Sequence, residues 1–315
     1  MKKILFLAAM TAAVMTSCSN EDDLTGSNSN VTDTNEIAFQ TSNPKALTRS
    51  VTTSLSDFYV EGWTGNPLGY CYLLNEHVTL DGGTFKGANG ALYWPTEGNL
   101  SFYALNVPFT DTTQGGTNGD YLMKTFTDVD GDADYVAAVS LSTSKMDVVP
   151  LTFKHILCRV GAKAVGTNSA HNYTLKSIKM NTCGTGVYTF INSDKSNPGT
   201  WSSSSTSTKD YTWKTGLPHG VSTSGYSLTD YFNVIPLTTG NVTFTVEYEV
   251  YYGSVKIGDY TGSNARTVSI SRSNWASGKA INYKFYLDES SSETELQFSS
   301  TIEAWGDASD STQEL

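Results

Sequence analysis

The sequence predicts an all-β protein of the sandwich type, with room for two domains in its 315 residues. Charged residues make up only 16% of the chain, while Ser, Thr, Gly, Asn and aromatics abound, a balance that suits strands better than helices. Short β-branched and aromatic runs also recur, each closed by Gly, Asn, Asp or Pro, the spacing of an antiparallel sandwich.

The first strand is expected over 36–40, followed by a Pro44 loop and Leu47-Thr48-Arg49. Further strands are expected at 58–63, 69–74, 84–86, 92–94, 100–106, 121–126 and 135–140. Residues 148–165 carry the longest apolar pattern. Leu151 and Phe153 share one face, but from Ile156 the alternation changes phase through Cys158, Val160, Ala162 and Ala164. A period-two pattern changes face by inserting a residue, so a β-bulge is expected near His155. Strands follow at 173–180, 186–191 and 231–235. The clearest is 242–250, where Val242, Phe244, Val246, Tyr248 and Val250 alternate with Thr and Glu, as in a half-solvated antiparallel strand. Residues 193–225 are Ser/Thr/Gly-rich and read as an exposed loop or extra hairpin. A single helical turn is expected over 273–278, capped by Ser273 or Asn274 and ended by Gly278. Ile281, Tyr283, Phe285 and Leu287 form the next inward face, 296–302 the last strand, and 306–315 a polar tail.

The chain opens with Lys2 and Lys3, an apolar run over 4–14, and Met15-Thr16-Ser17-Cys18. That order is a secretory signal, too short for a stable membrane span, and it ends on a cysteine. It resembles the lipobox of bacterial lipoproteins, with Met15 where Leu is usual. The resemblance implies a signal peptide over 1–17 and lipid on Cys18. Several acyl chains hold a protein on a membrane far better than one. Glu21-Asp22-Asp23 resembles a surface-export signal of lipoproteins, which implies an outer-membrane protein facing outward; read generically, it is a solvated tether, and 18–35 is expected to be disordered. The formal charge of −11 disfavours nucleic acid and anionic headgroups as partners. With Cys18 assigned, Cys71, Cys158 and Cys183 remain. Three thiols leave at least one free, and Cys158 reads as a small buried hydrophobe.

Taken in order, several segments resemble the fimbrillin family of surface lipoproteins that build or decorate pili. They are the lipobox with its acidic follower; Ile37-Ala38-Phe39 leading to Leu47-Thr48-Arg49; Leu92-Tyr93-Trp94-Pro95 with 100–104; 149–156; and Trp275, Gly278-Lys279, Tyr283 and Trp305. The resemblance implies two transthyretin-like antiparallel β-sandwich domains in tandem, over 36–147 and 148–315. It also implies proteolysis after Arg49, release of the strand holding Ile37, Ala38 and Phe39, and filling of the groove by a strand from another pilus subunit. Such β-augmentation satisfies an unpaired sheet edge. Arg49 reads equally as an ordinary loop arginine. The tail over 306–314 offers no alternating apolar face to donate. The donor therefore lies upstream, near 296–302, or the protein accepts a strand and gives none, as a tip subunit or solitary adhesin would.

Nothing in the sequence points to catalysis, a cofactor or a metal. The aspartates of 128–134 alternate as in a calcium loop, but Gly131 sits fourth and Val139 stands where a closing Glu belongs, so an acidic turn is expected. His77, His155, His171 and His219 have no metal spacing. Trp201 and Trp213, in the Ser/Thr-rich stretch, are the candidates for ligand contact, which motivates an alternative reading as a lipid-anchored glycan-binding module with a host protein or glycan as partner.

Overall fold

A computed structural model describes residues 35–42, 55–65, 68–115, 121–191, 197–202, 207–236, 239–289, 296–305 and 313–314. The expected positions Cys18 and Arg49 lie outside the described residues. In chain order the first strands are β1 (Phe39–Ser42), β2 (Asp57–Thr64), β3 (Cys71–Asp81), β4 (Thr84–Gly87), β5 (Leu100–Leu105), β6 (Thr112–Gly115), β7 (Tyr121–Phe126) and β8 (Val136–Thr143). Next come β9 (Val149–Thr152), β10 (Lys154–His155), β11 (Cys158–Gly166), β12 (Asn172–Cys183), β13 (Gly186–Phe190), β14 (Gly199–Ser202), β15 (Thr208–Trp213) and β16 (His219–Val221). The last are β17 (Tyr226–Ser227), β18 (Phe232–Val234), β19 (Asn241–Tyr252), β20 (Val255–Tyr260), β21 (Arg266–Ser271), β22 (Lys279–Leu287), β23 (Gln297–Ala304) and β24 (Gln313–Glu314). Among the described residues the one helical element is a 3-10 turn at Gly262–Asn264, so the fold is all-β as expected.

The first sheet runs β10-β8-β5-β2-β3-β4-β1-β9. Its end strands, β9 and β10, are separated in sequence by Phe153 alone, so a single stretch of backbone supplies both edges and the sheet rolls closed. Inside lie Phe39, Phe58, Phe85, Phe102 and Phe153, with rings 5.1 to 5.8 Å apart and mostly edge-on, the geometry aromatic quadrupoles prefer.

A second core is enclosed by two further sheets, β17-β11-β22-β23-β24 and β15-β12-β19-β20. Alternation predicts its faces well. Val242, Phe244, Val246, Tyr248 and Val250 of β19 are fully buried against Cys158, Val160 and Ala164 of β11 and the Ile281, Phe285 and Leu287 face of β22. Trp275 fills the same core, and its Nε1 donates to Tyr283 Oη at 2.9 Å. The expected helical turn around Trp275 is instead a pair of tight turns. Trp275 N–H bonds to Arg272 C=O and Lys279 N–H to Ala276 C=O, three-residue closures that β22 cuts off before a helix can propagate.

A smaller sheet, β14-β13-β7-β6, takes strands from both sides of residue 147, as the first sheet does through β9 and β10. The chain crosses between sheets just after His155. Ile156 and Leu157, both fully buried, lie in the crossing, and β11 then starts in a different sheet. This corrects the expected bulge at His155. The phase changes because the chain changes sheets, not because a residue is inserted within one.

Glu61 of β2 is fully buried opposite Tyr103. Its Oε2 accepts from Trp63 Nε1 at 2.9 Å, and among the described residues Oε1 has no hydrogen-bond partner. Burial holds its carboxyl above the ordinary range, against the pull of the Trp63 bond and the Lys124 charge. The stability its neutral form contributes is complete below the ordinary carboxylate pKa and lost as pH rises through the raised value. Glu61→Gln keeps the Trp63 bond without the charge. Its stability relative to the native chain is therefore expected to improve from pH 4 to pH 7, read as urea midpoints across that range.

Candidate functional site

The early strand with its alternating Ile37 and Phe39 becomes the plug of the closed sheet. Residues 35–37 pair with 92–94 through Ile37 N–H to Leu92 C=O at 2.6 Å and Trp94 N–H to Asn35 C=O at 2.9 Å. Phe39 then pairs with Phe85 of β4, and all four residues of β1 pair in parallel with β9, from Phe39 opposite Val149 to Ser42 opposite Thr152. Ile37 and Phe39 are fully buried and Ala38 nearly so. Phe39 meets Phe102 at 5.3 Å and Phe58 at 5.8 Å. Were β1 lifted out, β4 and β9 would each show an unpaired edge beside an apolar trench lined by Phe58, Phe85 and Phe102.

The hold on β1 is substantial. Burying Ile37 and Phe39 contributes about 1.5–3 kcal/mol each, and each backbone hydrogen bond roughly 0.5–1.5 kcal/mol more. A cut in the following segment leaves those contacts intact. Release then requires a competing strand or local unfolding.

The other sequence candidates are scattered. Trp201 and Trp213 are not exposed loop residues, which corrects that expectation. Trp201 sits in β14 against Phe126 and Tyr188, with its Nε1 donating to Ile156 C=O. Trp213 ends β15 fully buried, its Nε1 donating to Asp230 C=O at 2.8 Å. Of the two readings expected for the Ser/Thr-rich stretch, its described residues favour the extra hairpin over the exposed loop: β14, β15 and β16 are strand, and Trp201, Tyr211 and Trp213 pack inward. The aspartates of 128–134 diverge. Asp128 pairs with Lys209 at 2.7 Å, Asp130 accepts from the backbone of Asp132 and Ala133, and Asp134 meets His155 at 3.0 Å. Among the described residues no three His, Cys, Asp or Glu side chains gather as a metal site. Cys71, Cys158 and Cys183 are free thiols. Burial pushes Cys71 up to about 11, with the nearby Glu61 adding to the shift, and raises buried Cys158 as well.

Sequence reasoning missed a polar junction at the crossing. The His155 ring lies flat on Trp305, centroids 4.1 Å apart and planes 6° from parallel, while Nδ1 faces Asp134. Arg159 lies over Tyr231 at 4.3 Å and Trp305 at 5.8 Å. Residues 134, 155, 159, 231 and 305 share no spacing signal, so only the fold brings them together.

This arrangement defines a class: a β-sandwich protein whose distinguishing site is a sheet seam plugged by its own first strand. The Fimbrillin-like family matches residues 57–305, and the chain belongs to that family of fimbrial proteins. Strand β1 precedes the matched segment. Among solved structures, a fimbrial protein from Bacteroides vulgatus superposes with a TM-score of 0.52 at 14% identity, covering 85% of this chain and 99% of its own. A candidate cell adhesion protein from Parabacteroides distasonis gives 0.53 at 11%, covering 86% and 98%. Another from Bacteroides ovatus gives 0.52 at 16%, covering 86% and 97%. At these identities the likeness is one of fold. No curated protein matches the chain.

Phe39→Ala leaves a cavity among three phenylalanines and is expected to cost about 3–5 kcal/mol, whereas exposed Gln40→Ala should stay within about 0.5 kcal/mol. Urea unfolding of both variants checks the difference.

Proposed function

We propose that the protein is a non-catalytic fimbrial subunit or tip adhesin on the bacterial outer surface, held by lipid on Cys18 and assembled by strand exchange. The observation that supports this most directly is the seat of β1. Its removal would leave a trench with two backbone edges, and the segment that follows it holds Arg49, a site for an arginine-specific protease. The reaction is a swap rather than a catalysed conversion. The departing strand gives up its ladder bonds and buried aromatics, and an incoming apolar strand from a neighbouring subunit restores them. In this reading the chain is two sandwiches, over 36–147 and 148–315, with 149–155 lent back to close the first.

The chain either donates a strand from around β23 or only accepts one. β23 alternates Phe298, Ser300 and Ile302 against Gln297, Ser299, Thr301 and Glu303, a modest apolar face. The polar tail beyond it has none. A chain that only accepts a strand fits a tip subunit, and one that also donates fits a stalk.

Treating the purified full-length protein with an arginine-specific protease, then reading its mass and detergent-resistant ladders, tests the proposal. A cut at Arg49 followed by a ladder supports a stalk subunit. A cut with no ladder, until a strand-donating partner is added, supports a tip acceptor. An intact Arg49, or a ladder equally strong in Arg49→Ala, overturns the processing step.

A further inference from the structure

The second sandwich carries a surface groove that plays no part in the seam. Its volume is about 420 Å³, within the roughly 300–1,000 Å³ of small-molecule sites. One wall is the turn before β12 and the first residue of that strand, with Ser169, His171 and Asn172; the other is β16 and the turn after it, with His219, Ser222 and Thr223. The walls are tied together. β16 pairs with β12 through Tyr173 opposite Val221 and Leu175 opposite His219, and Gly166 N–H bonds to Ser222 C=O at 3.0 Å.

Both imidazoles are oriented by neighbours. His219 stacks on Tyr226 with centroids 3.7 Å apart and planes 16° from parallel. His171 Nδ1 lies 3.4 Å from Glu289 Oε2, and its ring meets that of Tyr252 edge-on at 5.9 Å. Tyr252 is 62% exposed, an unusual outlay of aromatic surface beside a polar groove.

The lining narrows the ligand class. Among the described residues the lining contains no Lys or Arg, Lys163 only packing its side-chain stem beside Gly225, so phosphate, sulfate or carboxylate would meet no countercharge from the lining itself. Among the described residues the lining contains no Asp or Glu, and Glu289 beside it is engaged by His171, Asn168 and Tyr173, so the lining offers a cation no carboxylate. Its surface is more polar than apolar, which disfavours a lipid or steroid. What it does present is hydroxyl, amide and imidazole groups, able to donate and accept, with aromatic rings beside them. That set matches the vicinal hydroxyls and C–H faces of a sugar ring. We infer that the groove between His171 and His219 binds a neutral carbohydrate. The inference is independent of strand exchange, because the groove is complete in a single chain.

The test uses the purified full-length protein in a detergent without a sugar headgroup. Isothermal titration and saturation-transfer NMR are run with methyl glycosides of glucose, galactose, mannose, fucose and N-acetylglucosamine, their disaccharides, sialyllactose and inorganic phosphate. At least one neutral saccharide is expected to bind saturably. His171→Ala and His219→Ala should each weaken it about tenfold, the loss of one well-placed hydrogen bond. An occluding variant gives a second route. Ser169 lines the groove and is exposed, so the indole placed there by Ser169→Trp should occlude it and abolish binding while the melting temperature holds. Tyr72→Ala on β3 should change nothing. Failure of every neutral saccharide, binding of phosphate or sialyllactose alone, or affinity that survives Ser169→Trp would each overturn the inference.

Discussion

One stretch of backbone, 149–155, holds the first sheet closed. Its upstream half hydrogen bonds to β1 and its downstream half to β8, so the two edges of an eight-stranded sheet meet in one segment. Edges are a hazard for any β protein, and closure removes them. The cost of this solution is dependence. Phe153 sits between the two pairings, fully buried against Phe58, and cannot shift register without carrying both edges with it.

That segment also leads into the rest of the molecule. Just beyond Phe153, His155 stacks on Trp305 and faces Asp134, and Ile156 and Leu157 pass into a core shared with Tyr188, Phe190 and Ile235. Both remaining acceptors of the crossing are used: Ile156 C=O takes Trp201 Nε1 and Ser277 Oγ, and Leu157 C=O takes Gly278 N–H. A crossing buried on all sides must satisfy its polar backbone from side chains and turns, because no sheet is there to do it. The indole of Trp201 belongs to this account rather than to a ligand.

The sequence reveals most where one face of a strand is buried and the other wet. β19 and β22 are legible residue by residue, and so is the inward turn of Ile37 and Phe39. The change of phase at Ile156 is legible too, but its cause is not, since a bulge and a change of sheet leave the same trace in a period-two pattern. Trp201 and Trp213 were hidden by their neighbours. Ser and Thr dominate 193–225, and composition there leaves exposed loop and extra hairpin open while three inward aromatics say strand. Alternation across Tyr211 and Trp213 is the signal that was available. The groove between His171 and His219 left no trace of any kind, because it depends on β16 docking beside β12 from more than forty positions away.

The slot that β1 fills has unlike walls. Along β4 the neighbour runs antiparallel, and along β9 it runs parallel. The two ladders space their hydrogen bonds differently, so a strand entering backwards would exchange the patterns and mismatch both sides. The slot therefore reads direction as well as hydrophobicity. Any row of molecules joined through such slots has a fixed polarity, a front end and a back end, written into the pairing of four residues.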